Sequence, residues 1–94
     1  MTRLSAGANL NSLTVNVRYC CASGSDASSM SNLPSGFPNS AFVMDVIPIG
    51  LATGSNCAQV IYTRNNQVPM MFIRILSRDA SLVGSWYKAT LDAV

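Results

Sequence analysis

Glutamate and histidine are absent from this 94-residue chain, and charge of either sign is scarce. Four aspartates stand against five arginines and one lysine, for a formal net charge of +2. The missing histidine removes the side chain that most often moves protons near neutral pH. Of the carboxylates, Asp26 and Asp79 fall in loop-like sequence and Asp92 near the C-terminal end, which leaves only Asp45 in an apolar strand. A glycosidase sets two carboxylates across one bond, and nothing in the pattern supplies Asp45 with a second. A nucleophilic serine needs a neighbouring base, but the only lysine, Lys88, belongs to a strand expected to be exposed. The glycines never take the spacing of a phosphate-cradling loop. No enzymatic activity and no cofactor are expected.

Other classes fall on similar grounds. The basic residues are scattered, so the dense phosphate-neutralising face of a nucleic-acid binder is missing. Arg74 and Arg78 are near each other but have Asp79 beside them, which reads as a solvated and partly paired surface. The most apolar stretch, Ala41 to Ala52, is interrupted by Asp45, Pro48 and Gly50, too short and broken for a bilayer span. No apolar leader follows Met1-Thr2-Arg3, so synthesis and folding in the cytoplasm are expected. Three cysteines, two of them adjacent, do not make a disulfide framework. Cys20 and Cys21 would point to opposite faces of a strand, so they cannot share one metal; reduced thiols are expected.

What the chain has in excess is apolar side chain. Hydrophobic residues make up 49% of it and charged residues only 11%, against about a quarter charged in an average domain. A single domain of this size has too little interior to hide that much. Part of the surplus is therefore expected to face another chain.

The periodicity is that of strands. In Thr14–Cys20, Val15, Val17 and Tyr19 alternate with Asn16 and Arg18, the pattern of a half-buried strand. Before it, Leu10 and Leu13 within Ala6–Leu13 suggest a short helical turn. Ala22–Ser40 reads as a long ordered loop, pinned by Leu33, Pro34, Phe37 and Pro38. Ala41–Ile49 is a second strand, with Phe42, Met44 and Val46 on one face and Pro48 ending it. After a connecting loop over Gly50–Asn56, Cys57–Thr63 and Met70–Ser77 form an antiparallel pair about a turn at Arg64–Gln67. Ser85–Leu91 is the last strand, where adjacent Trp86 and Tyr87 point one to the core and one outward. The expectation is a single all-β domain over residues 1–94: a small antiparallel β-sandwich or open barrel of about five strands.

The order of these motifs resembles a known family. Gly7-Ala8-Asn9-Leu10-Asn11-Ser12-Leu13-Thr14 followed by Tyr19, then Ala27 through Asn32-Leu33-Pro34-Ser35-Gly36, resemble the opening of the bacteriophage tail-fibre and pyocin-knob family. Phe42–Ile47, Gln59-Val60-Ile61-Tyr62, Phe72-Ile73-Arg74 and Trp86-Tyr87-Lys88 follow in that family's order. Arg18 stands where the family usually has glycine, and Ala89 where it often has a second tryptophan.

The resemblance implies a fibre-knob domain of the virion, trimeric, contacting a host surface receptor such as a glycan or a protein. It also leaves open a structural trimerisation or capsid-decoration module without a receptor of its own. Neither nucleic acid nor membrane insertion is expected. On a rigid scaffold, loops and exposed aromatics would do the contacting, which singles out Tyr62, Arg64, Asn65, Asn66, Trp86 and Tyr87. Arg74, in mid-strand, is expected to form a salt bridge, with Asp45 as the partner.

Overall fold

The computed structural model describes residues 1–50, 55–89 and 91–94. Six strands form one open sheet in sequence order: β1 (Thr2–Arg3), β2 (Arg18–Cys21), β3 (Phe42–Pro48), β4 (Asn56–Asn65), β5 (Val68–Ser77) and β6 (Tyr87–Ala89). Every pairing is antiparallel except β1 with β2, which is parallel. The all-β class is as the sequence implies, but the second layer is neither a sheet nor a barrel wall. It is built of the two long connections, which fold over one face of the sheet.

Alternation decides that face. Met44, Ile61 and Phe72 form one cross-strand row, and Val46, Gln59 and Arg74 the next. Against them pack Leu10 and Ala27 from the connections, with Leu13, Met30, Leu33 and Phe37 partly buried at the margin. Leu10, Met44, Ile61 and Leu76 are fully enclosed, each worth roughly 1.5–3 kcal/mol of transfer from water. Phe37 sits edge-on to Phe42, ring centres 5.4 Å apart, and 5.5 Å from Phe72. Phe37 and Leu33 of the long loop therefore do pin it to the core.

Several boundaries differ from the sequence reading. The first long strand occupies Arg18–Cys21 rather than Thr14–Cys20. The chain bends tightly where the Val17 N–H donates to the Val15 carbonyl at 2.7 Å, so both valines lie exposed although their alternation suits a strand. The expected helical turn is a 3-10 turn at Leu10–Ser12, capped by the Asn9 side chain. Within the long loop lies a short helix, α1 (Gly24–Ser28), whose N-cap Ser23 accepts from the Asp26 N–H at 3.2 Å. The β4–β5 hairpin is longer than expected: pairing runs out to Asn65 with Val68, leaving only Asn66 and Gln67 in the loop. Asn66 takes φ 57°, the left-handed conformation that asparagine tolerates. β6 covers only Tyr87–Ala89 of the expected Ser85–Leu91, in which Thr90 lies outside the described residues. The connection expected over Gly50–Asn56 also falls largely outside them.

Candidate functional site

The six residues singled out from the sequence divide among three places. Arg64, Asn65 and Asn66 stand together at the β4–β5 end of the sheet. Tyr62 and Tyr87 lie on the uncovered face of the sheet, 42% and 69% exposed. Trp86 belongs to neither group and packs against the core from the edge of the sheet.

At the hairpin end, two open grooves flank the turn. One, of about 410 Å³, runs between the hairpin and the long loop and is lined by Arg64, Asn65 and Asn66 with Asn39 and Ser40 opposite. The other, of about 400 Å³, lies toward β6 and adds Val68, Pro69 and Lys88 to the same two asparagines. Both contain Met70. The first groove offers amide, hydroxyl and guanidinium groups in a shallow depression, the donor and acceptor set that pairs with the hydroxyls of a sugar. Thr63 Oγ1, donating to the Ala41 carbonyl at 2.8 Å, holds the long loop against the hairpin beside it.

Trp86 has a structural task. Its indole N–H donates to the Asn32 carbonyl at 2.9 Å, and the Arg74 guanidinium carbon lies 4.4 Å from the centre of its ring. Arg74 is only 3% exposed. Its Nε donates to Gln59 Oε1 at 2.8 Å, while Nη2 is buried without a protein partner. Burial lowers its pKa to about 10. The expected Arg74–Asp45 salt bridge does not form, because the two residues point to opposite faces. Asp45 shares the outer row with Arg18, which binds it through Nε at 2.6 Å and Nη2 at 2.9 Å. That hydrogen bonding holds the Asp45 carboxyl below the usual carboxylate range. The spacing of Arg74 and Arg78 around Asp79 likewise does not make a solvated surface of Arg74.

Gln59 completes the buried network. Fully enclosed, it donates through Nε2 to the carbonyls of Leu10 at 2.7 Å and Leu13 at 2.9 Å. The signal was present in the sequence: one amide among apolar neighbours in a central strand must find polar partners. On the far side of the covering layer, Asn32 donates to the Asn9 side chain at 2.7 Å. Leu10, Gln59, Arg74 and Trp86 thus meet between the connections and the sheet, and Asn9 and Asn32 tie the two connections together at the surface.

Burial raises the pKa of the Cys21 and Cys57 thiols. All three cysteines are free. Asp79 lies in the β5–β6 connection, where the Ser81 N–H and the hydroxyls of Ser77 and Ser81 donate to it and hold its pKa at about 2. No helix among the described residues is long and apolar enough to cross a membrane.

No family model matches this chain, and neither a curated protein nor a solved structure does.

Proposed function

We propose that this chain is a non-catalytic, trimeric fibre domain that contacts a host surface receptor, a glycan or a glycan-bearing protein, through the β4–β5 end of its sheet. The observation that carries the receptor part is the polar groove in which Arg64, Asn65 and Asn66 face Asn39 and Ser40. Two stretches distant in sequence meet there on a rigid hairpin, the arrangement in which surface loops carry binding. The fibre part rests on the residue motifs. It is supported by contacts among the residues bearing the resemblance: Asn9 and Asn32 are joined directly, and Trp86 is hydrogen-bonded to Asn32. Tyr62, Tyr87 and Trp86 are not among the residues that line this groove, although Tyr62 lines an adjoining depression with Arg64.

A second reading, a purely structural trimerisation or decoration module, is favoured by one specific observation. The outer face of the sheet is apolar and open, with Ile47, Ile73 and Ile75 between 38% and 45% exposed.

Binding of the intact chain to a glycan array and to host cells separates the two readings. The receptor reading predicts binding that falls roughly tenfold or more in Arg64→Ala or Asn65→Ala, about 1.4 kcal/mol or more, with unchanged unfolding curves. Absence of binding from a correctly assembled oligomer sinks the receptor reading and leaves the structural one.

A further inference from the structure

The face of the sheet opposite the buried seam is built of aligned rows. Across β3, β4 and β5 run Ile47, Ala58 and Ile75, then Asp45, Val60 and Ile73, then Val43, Tyr62 and Met71. Tyr87 extends the middle row onto β6. Neither long connection crosses these rows; both pack on the other side.

We infer that this face packs against the same face of further copies of this chain. Three features select that occupant. The first is area. Ile47, Tyr62, Ile73, Ile75 and Tyr87 are each 38–69% exposed. Together they present on the order of 500 Å², the scale at which an apolar patch marks a contact surface, and much of the ~800 Å² that each partner contributes to a stable complex.

The second is relief. On the central strand, Ala58 is 6% and Val60 7% exposed, because the side chains beside them close over them, whereas Ile47, Ile73 and Ile75 stand 38–45% exposed. The raised surface of these rows is therefore mainly isoleucine. Two stacked sheets interdigitate their side chains at a spacing of about 10 Å, and raised isoleucines are the side chains a facing sheet can take up.

The third is charge. Within these rows Asp45 is bonded to Arg18 of β2, and Arg64 stands beyond Tyr62 at the hairpin end of the same face. The isoleucine rows of identical faces therefore meet without repulsion, while a strongly charged partner would find nothing there to complement it. Desolvating a charge placed on this face would be costly.

The inference rests on the assembly part of the proposed function and adds the surface that performs it. Its test is sedimentation equilibrium of the intact chain beside Ile75→Asp and Ile75→Thr, with Ser35→Ala, exposed in the long loop on the other side of the sheet, as the control. The threonine variant keeps a β-branched residue should the aspartate variant fail to fold. The wild type and Ser35→Ala are expected to be oligomeric at micromolar concentration. Ile75→Thr should weaken association by roughly tenfold and Ile75→Asp by about a hundredfold or more, each with the circular dichroism of a folded sheet. A wild-type dimer that Ile75→Thr dissociates supports this face while contradicting the trimeric fibre. A monomer at ~100 µM, or an oligomer unmoved by both substitutions, overturns the inference whatever the glycan array shows.

Discussion

Gln59 and Arg74 are directly paired neighbours on the buried face of the sheet, joined from guanidinium Nε to amide Oε1 at 2.8 Å. Through Gln59 the pair reaches the carbonyls of Leu10 and Leu13, and through the Trp86 ring it reaches the residue that leads into β6. Two side chains thus fasten both ends of the chain to the middle of the sheet. The buried charge finds an amide, an aromatic face and no carboxylate. Such an arrangement specifies register, because few other packings would satisfy the same groups.

Gln59→Leu fills the same space without the amide. It leaves the Leu13 carbonyl and Arg74 Nε without these bonds, and Arg74 keeps its charge in the interior. A loss of about 2–4 kcal/mol is expected, measurable as a lower midpoint in urea. An unchanged midpoint would mean that the N-terminal connection is not held through this residue.

Gly84 lies against the backbone of β5: its N–H donates to the Ile75 carbonyl at 2.8 Å, and a Cβ there would sit 2.5 Å from that oxygen. Backbone cannot rotate aside as a side chain can. Gly84→Ala should therefore cost about 1–3 kcal/mol and loosen β6, with faster amide exchange at Tyr87 and Lys88. Wild-type stability in this variant would contradict the close approach.

Acid should weaken the fold in a defined window. Asp79 is held at about 2, below its ordinary 3.8, by hydrogen bonds from Ser81 and Ser77, and Asp45 is lowered by Arg18. A depressed carboxylate contributes stability that is complete above the unfolded value and fades as pH falls through the folded one. Stability is expected to decline from about pH 4 toward pH 2. Asp79→Asn should flatten that decline, read from denaturation midpoints at successive pH values; an equally steep slope in the variant would remove Asp79 as its source.

Much of this fold is legible in the sequence because the sheet is amphipathic at period two. Phe42, Met44 and Val46 fall on one face by alternation alone, and Asn65 and Asn66 announce the hairpin. Pro48 ends its strand as a residue without an N–H donor should. The alternation of Val15 and Val17 misleads, because a tight bend outweighs strand propensity there. Arg74 misleads differently: strand parity assigns it to the face of Gln59, away from Asp45, but an arginine buried without a carboxylate is too uncommon to be expected from composition. For the site, residue type alone cannot separate Trp86, which supports the core, from Tyr87, which faces out. Nor can local sequence show that Asn39 and Ser40 line a groove with Arg64, since their meeting depends on how the long loop crosses the sheet.

The surplus of apolar side chain and the open isoleucine face support the proposal that this chain works as one of several copies. Sedimentation velocity of the full chain at increasing concentration tests it most directly. The account predicts a species with the mass of three chains, persisting to low micromolar concentration. A single species with the mass of one chain at every concentration would contradict it.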